Sequence, residues 1–179
     1  MTSLQQLTAL DRRLSACLII PPRARCLRLL ALAFAHSGDS PLWLLGASGA
    51  LIWGNTTWRS LGWRTVVGTL VAGAVITALK WIFRRQRPRG HWSCVREGKG
   101  RGFYTRFDRH AFPSGHAGRS ACLTVLLAPP LAPWGGALLA LWAGLVGLAR
   151  VALQVHFASD IAVGWAVGLL VGLALQMAF

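Results

Sequence analysis

Long apolar stretches separated by short polar breaks run through most of the chain. A helix rising 1.5 Å per residue needs about 20 mostly apolar residues to cross a bilayer core. Four stretches approach or meet that length: 63–83, 114–131, 134–153 and 156–179. Arg64 and Lys80 sit near the two ends of the first, Pro129 and Pro130 close the second, and Asp160 is the only formal charge of the last. Residues 41–58 make a fifth, shorter candidate. Leu4, Leu7, Leu10, Leu14 and Leu18 recur every three or four positions, the stripe of an amphipathic helix lying in the membrane interface. Pro21 and Pro22 break it. Residues 23–37 are apolar but short and open with Arg23, Arg25 and Arg28; they either span with snorkelling arginines or lie half-inserted. The pattern predicts an all-α integral membrane bundle of five or six transmembrane helices. It forms one domain over 1–179, with an interfacial helix over 1–20 and no internal repeat.

Composition agrees with a lipid solvent. Of 179 residues 54% are hydrophobic and only 13% charged, about half the charge of an average soluble domain. The charge is lopsided, 19 Lys and Arg against five Asp and Glu, for a net +14. Such a balance suits nucleic acid, anionic headgroups or a phosphorylated substrate. Nucleic acid is disfavoured, because the basic residues lie between apolar runs and form no soluble patch. Half of the net charge falls in the one substantial loop, 84–113, where nine basic residues outnumber Glu97 and Asp108. The first 13 residues are polar and no apolar run ends in a small-residue cleavage site, so no cleavable signal is expected. Cys17, Cys26, Cys94 and Cys122 show no metal or redox spacing and read as idle or buried thiols.

Three polar clusters interrupt this pattern. Lys80 and Arg87, followed by Pro88, stand seven apart where one helix leaves the membrane; a residue before proline is pushed out of helical geometry, so that helix should stop near Gln86. Pro113-Ser114-Gly115-His116 opens the next span. Arg150, His156 and Asp160 join the last two spans. Spanning helices alternate in direction, which places all three clusters on one membrane face. Converging Lys80, Arg87 and Arg150 repel one another unless an anion lies between them, and phosphate matches arginine forks and a lysine point charge. Ser114 reads as a helix cap whose neighbouring amides face the same anion, with Gly115 permitting close approach. His156 and Asp160, four apart, fall on one helical face, so the carboxylate can hold one ring nitrogen and leave the other as a nucleophile. His116 is placed as general acid.

The spacing resembles the type 2 phosphatidic acid phosphatase superfamily, whose pattern is K-x6-RP, PSGH and SR-x5-H-x3-D. Lys80, Arg87 and Pro88 match the first motif, Pro113 to His116 the second, and Arg150, His156 and Asp160 the third. Ala149 departs from the family serine, which removes one hydroxyl from the phosphate site. The resemblance implies a haloperoxidase-like helical core and a site facing the periplasm or exterior. It implies lipid phosphate hydrolysis without metal or other cofactor. His156 attacks phosphorus to form a phosphohistidine, Asp160 orients it and His116 protonates the leaving oxygen. Lys80, Arg87, Ser114, Gly115 and Arg150 hold the phosphoryl oxygens. The lipid is of the undecaprenyl diphosphate, phosphatidylglycerol phosphate, phosphatidic acid or lipid A type; no nucleic-acid partner is implied.

Each residue alone has a plainer reading. Lys80 or Arg87 is a snorkelling anchor, His116 a polar helix end, Asp160 a packing or proton-path residue. Arg119 reads as a structural ion-pair residue, and His36, His91 and His110 as surface or loop histidines. Tyr104 and Phe103 are candidates for the substrate entrance. Joint spacing on one face selects the phosphate site. Two other functions use the same residues: a lipid phosphotransferase, with an acceptor lipid replacing water, and a non-catalytic lipid-binding member of the fold.

Overall fold

The computed structural model describes residues 3–88 and 110–179. Among them are seven helices: α1 Ser3–Cys17, α2 Arg25–Ser37, α3 Ser40–Trp53, α4 Thr56–Phe83, α5 Gly115–Leu127, α6 Pro133–Ala152 and α7 Ala158–Gln176. Most of loop 84–113, with His91, Cys94, Phe103 and Tyr104, lies outside the described residues.

Among the described residues, three helices are long and apolar enough to cross a membrane: α4, α6 and α7. Their outer faces carry exposed Leu70, Ile82, Leu138, Leu141, Leu170 and Leu173, which lipid tails can solvate but water cannot. The first is longer than the apolar pattern implies, 28 residues from Thr56. Its start is fixed by Asn55, whose side chain accepts the Trp58 N–H at 3.1 Å. Its end comes earlier than expected, at Phe83, where Arg84 turns left-handed at φ 47° and its N–H closes on the Lys80 carbonyl at 3.0 Å. The α3 helix likewise stops at Trp53 instead of running to 58, because Gly54 and Asn55 leave helical geometry.

The α5 helix has only 13 residues and ends at Leu127, two positions before Pro129. It is nonetheless the centre of the bundle, packed on α4, α6 and α7. Its tightest neighbour is α7, along Gly164, Gly168 and Gly172, one residue per turn. A Cβ on Gly164 would stand 2.7 Å from the Ser114 carbonyl oxygen, and one on Gly172 2.8 Å from Val125 Cβ. One on Gly168 would collide with the Gly118 carbonyl. Small residues on this ridge bring two backbones together, as helices in lipid require when no hydrophobic force drives them. The same contact sets the starts of α5 and α7 side by side, where the Ser114 N–H donates to the Asp160 carbonyl at 2.9 Å.

Candidate active site

The three sequence clusters meet at one end of the bundle. Lys80 and Arg150 occupy the last turns of α4 and α6 and are buried, as are Ser114 at the cap position of α5, His156 and Asp160. His156 does not share a helix with Asp160, because α7 begins at Ala158, two residues later than the spacing suggests. A turn delivers the ring instead. Gln154 takes a left-handed φ of 59°, and the N–H groups of Val155 and His156 both donate to the Arg150 carbonyl, at 3.0 and 3.3 Å. The chain folds back on Arg150 and points His156 Nδ1 at Asp160 Oδ2, 3.4 Å away. That oxygen also accepts the Phe157 N–H at 2.8 Å, so one carboxylate caps α7 and faces the imidazole.

On the other side of the ring, Arg87 Nη1 lies 3.4 Å from His156 Nε2 and donates to the Val155 carbonyl at 3.2 Å. Burial of this turn residue, then the charges of Arg87, Arg150 and Lys80, hold its pKa well below the ordinary histidine value. A neutral imidazole inside a ring of cations can act as a nucleophile toward an anion.

Ser114 stands at the helix start, but its side chain makes no cap hydrogen bond. Its Oγ is buried and has no hydrogen-bond partner among the described residues. Gly115 follows, and Arg119 Nη1 lies 3.2 Å from where a Cβ on that glycine would stand. The guanidinium one turn along thus occupies the space a side chain would take. Ala149 is buried in an apolar cluster with Ala31, Ala35, Leu153 and Val155. The position where the family pattern has serine is therefore packed with residues of α2.

Several polar partners escaped the sequence reading. Asp39, between α2 and α3, meets His116 Nε2 at 2.7 Å through Oδ1 and the exposed His36 at 2.9 Å through Oδ2. Burial opposes ionisation of Asp39, yet hydrogen bonds from His116 and His36 outweigh it and lower its pKa to about 2. Arg85 donates to Asp160 Oδ1 at 2.8 Å, to Ser159 Oγ at 2.6 Å and to Asp11 Oδ2 at 2.6 Å. Its guanidinium also stacks over the Phe157 ring at 4.4 Å. One signal was available. The chain has five acids against 19 cations, and Asp11, Asp39 and Asp160 all end up here.

Residues 61–178 match the profile of the PAP2 superfamily. Two solved structures share the fold. LpxE of Aquifex aeolicus superimposes with a TM-score of 0.70 at 21% identity, over 95% of this chain and 96% of that one. The transmembrane PAP2-type phosphatidylglycerolphosphate phosphatase of Bacillus subtilis gives 0.71 at 23% identity, over 99% of this chain and 87% of that one. Long apolar helices and this fold make the chain a multi-pass membrane protein. Motif order, helical architecture and profile agree, and the chain belongs to the PAP2 superfamily.

Proposed function

We propose that this protein is a metal-independent phosphatase that hydrolyses a phosphate or diphosphate monoester of a lipid through a phosphohistidine. The observation that carries the reading is His156 standing between Asp160 at Nδ1 and Arg87 at Nε2, each 3.4 Å away. Lys80 and Arg150 add charge to the same ring. In the first step His156 Nε2 forms a bond to phosphorus and the bond from phosphorus to the lipid oxygen breaks. His116, held by Asp39 through Nε2, delivers a proton from Nδ1 to that oxygen. In the second step water bonds to phosphorus and gives a proton to His116 Nδ1, the bond from phosphorus to His156 Nε2 breaks, and inorganic phosphate leaves. Lys80, Arg87, Arg150, the Ser114 hydroxyl and the amides at Gly115 hold the phosphoryl oxygens in both steps.

Lipid is the favoured substrate because the site lies at the ends of membrane helices, where a headgroup arrives at the interface while its chains stay in the bilayer. Substrates of the phosphatidylglycerol phosphate, lipid A, undecaprenyl diphosphate and phosphatidic acid type all present a terminal phosphate there. One of the two fold relatives, from Bacillus subtilis, carries the name of such a lipid enzyme, a phosphatidylglycerolphosphate phosphatase. In this reading α3 and α5, with or without α2, join the three long helices to give five or six spans. All 179 residues form one domain, in a bacterial cytoplasmic membrane with the site facing the periplasm or exterior.

Purified protein in detergent, assayed for phosphate release from a lipid panel, tests the proposal. Wild type should act on at least one lipid in the presence of EDTA, and His156→Ala should be inert. Wild type inert across the panel sinks the enzyme reading. Loss with chelator and recovery with a divalent ion sinks the metal-free mechanism. Transfer of the donor's phosphate to an added acceptor lipid would redefine the enzyme as a phosphotransferase.

A further inference from the structure

The amphipathic helix α1 reaches the site from outside the three motifs. Asp11 Oδ1 accepts the Ser159 N–H at 3.0 Å, and Ser15 Oγ accepts the Ala158 N–H at 2.9 Å. Ser15 is itself turned by donating to the Asp11 carbonyl at 2.7 Å. These are amides of the first turn of α7, which has no intrahelical acceptor for them. Phe157, at the cap position, offers no side-chain acceptor. The α1 helix therefore supplies acceptors for the Ala158 and Ser159 amides, beside the cap that Asp160 gives the Phe157 amide.

The same aspartate is linked to the proposed nucleophile by three successive contacts, through Arg85 and Asp160. Asp11 Oδ2 binds Arg85 Nη2 at 2.6 Å and the Ser159 hydroxyl at 2.6 Å. Arg85 Nη1 binds Asp160 Oδ1 at 2.8 Å, and Asp160 Oδ2 faces His156. Asp160 is fully buried, where ion pairs are strong and unbalanced ones disruptive. Arg85 paired with Asp160 alone would draw the carboxylate's charge away from the imidazole. Asp11 shares that guanidinium and leaves Oδ2 to the ring.

We propose that Asp11 and Arg85 are positioning residues for His156, acting through Asp160, so that α1 is a working part of the catalytic site as well as an interfacial helix. The inference rests on the phosphatase reading above. Among the described residues, the charged or titratable groups that face His156 besides Asp160 are Lys80 of α4, Arg87, His116 of α5 and Arg150 of α6. Those facing Asp160 are Arg85 and Asp11. Of all these, only Asp11 comes from a helix outside the motifs. Asp11 and Ser15 are four residues apart and share one edge of α1. The exposed stripe of Leu7, Leu10 and Leu14 runs along the neighbouring face. A helix seated in the interface by its leucines thus holds its polar edge on α7.

Kinetics on a lipid that wild type hydrolyses test this. Asp11→Ala should lower kcat about tenfold with KM within about twofold, the pattern of misplaced reacting groups. Asp11→Asn keeps an acceptor for the Ser159 amide but removes the charge. It should move the acidic limb of the kcat/KM profile to lower pH, because Asp160 then holds the imidazolium less firmly. Asp11→Glu should restore most of kcat. A role confined to scaffolding would change the melting temperature and leave that limb in place. Should Asp11→Ala not fold, Asp11→Asn and Arg85→Lys decide. Folded variants with wild-type kcat and an unmoved limb overturn the inference while wild type stays active. An inert wild type overturns the phosphatase reading itself.

Discussion

His156 has a carboxylate at Nδ1 and a guanidinium at Nε2, each at 3.4 Å; His116 has the Asp39 carboxylate at Nε2, at 2.7 Å. Under the proposed mechanism the first ring gives an electron pair and the second a proton. Replacing His116 should therefore cost activity in proportion to how badly the leaving group needs that proton. His116→Ala is expected to lose roughly 10²–10⁴-fold on a lipid phosphomonoester. The loss should be far smaller on p-nitrophenyl phosphate, whose phenolate departs unaided; side-by-side rates on the two substrates check it. Asp39 adds a pH dependence. Its carboxyl falls from the ordinary 3.8 to about 2 in the fold. The stability it contributes is thus complete above the ordinary carboxylate range and disappears as pH falls through about 2. Asp39→Asn should melt below wild type at pH 6, and the gap should close as both are titrated toward that value. The motif residues were legible from spacing alone. Asp39 and Asp11 were not, because the partners that tie them to the site, His116 and Ser159, are 77 and 148 positions away, and only a packed fold reveals such pairings.

At the scale of elements, the apolar pattern located the helices and misplaced several ends. Hydropathy averages over a window, whereas ends are set by single residues: Asn55 extends α4 backward, Arg84 stops it, and Pro129 limits α5. The four-residue spacing of His156 and Asp160 pointed to the right pair by the wrong geometry. A turn with a left-handed Gln154 does what a shared helix face was expected to do. The glycine ridge of α7 governs how closely the two histidine-bearing ends approach. Gly168→Val would drive a side chain into the Gly118 backbone. It should abolish a monodisperse folded species or lower its melting temperature by many degrees. A Cβ on Gly144, by contrast, would meet nothing within 4 Å. Gly144→Ala should fold normally and gain about 0.5–1 kcal/mol from helix propensity. Thermal melts monitored by size-exclusion chromatography distinguish the two.

For the molecule as a whole, polar residues tie the bundle together at both ends. At the end remote from the site, Arg64 of α4 donates to the Leu126 carbonyl and to Gln176 Oε1, each at 3.3 Å, and lies over the Phe179 ring. At the site end, Ser114, Arg85 and Asp11 link α5, the segment after α4, and α1 to the start of α7. The apolar surface between them faces outward. This division was foreshadowed by composition, since only 13% of the residues are charged and 54% are hydrophobic. Substrate identity was not, because it depends on the shape of the surface around the phosphate rather than on the motif residues. The most direct test is to mix purified enzyme with a hydrolysable lipid phosphate, quench within the first turnover under alkaline conditions, and locate the phosphoryl group by mass spectrometry. An acid-labile phosphate on His156, forming and decaying at the turnover rate, is the expected result. Steady phosphate release from active enzyme with His156 unmodified, or with the label on another residue, would contradict it.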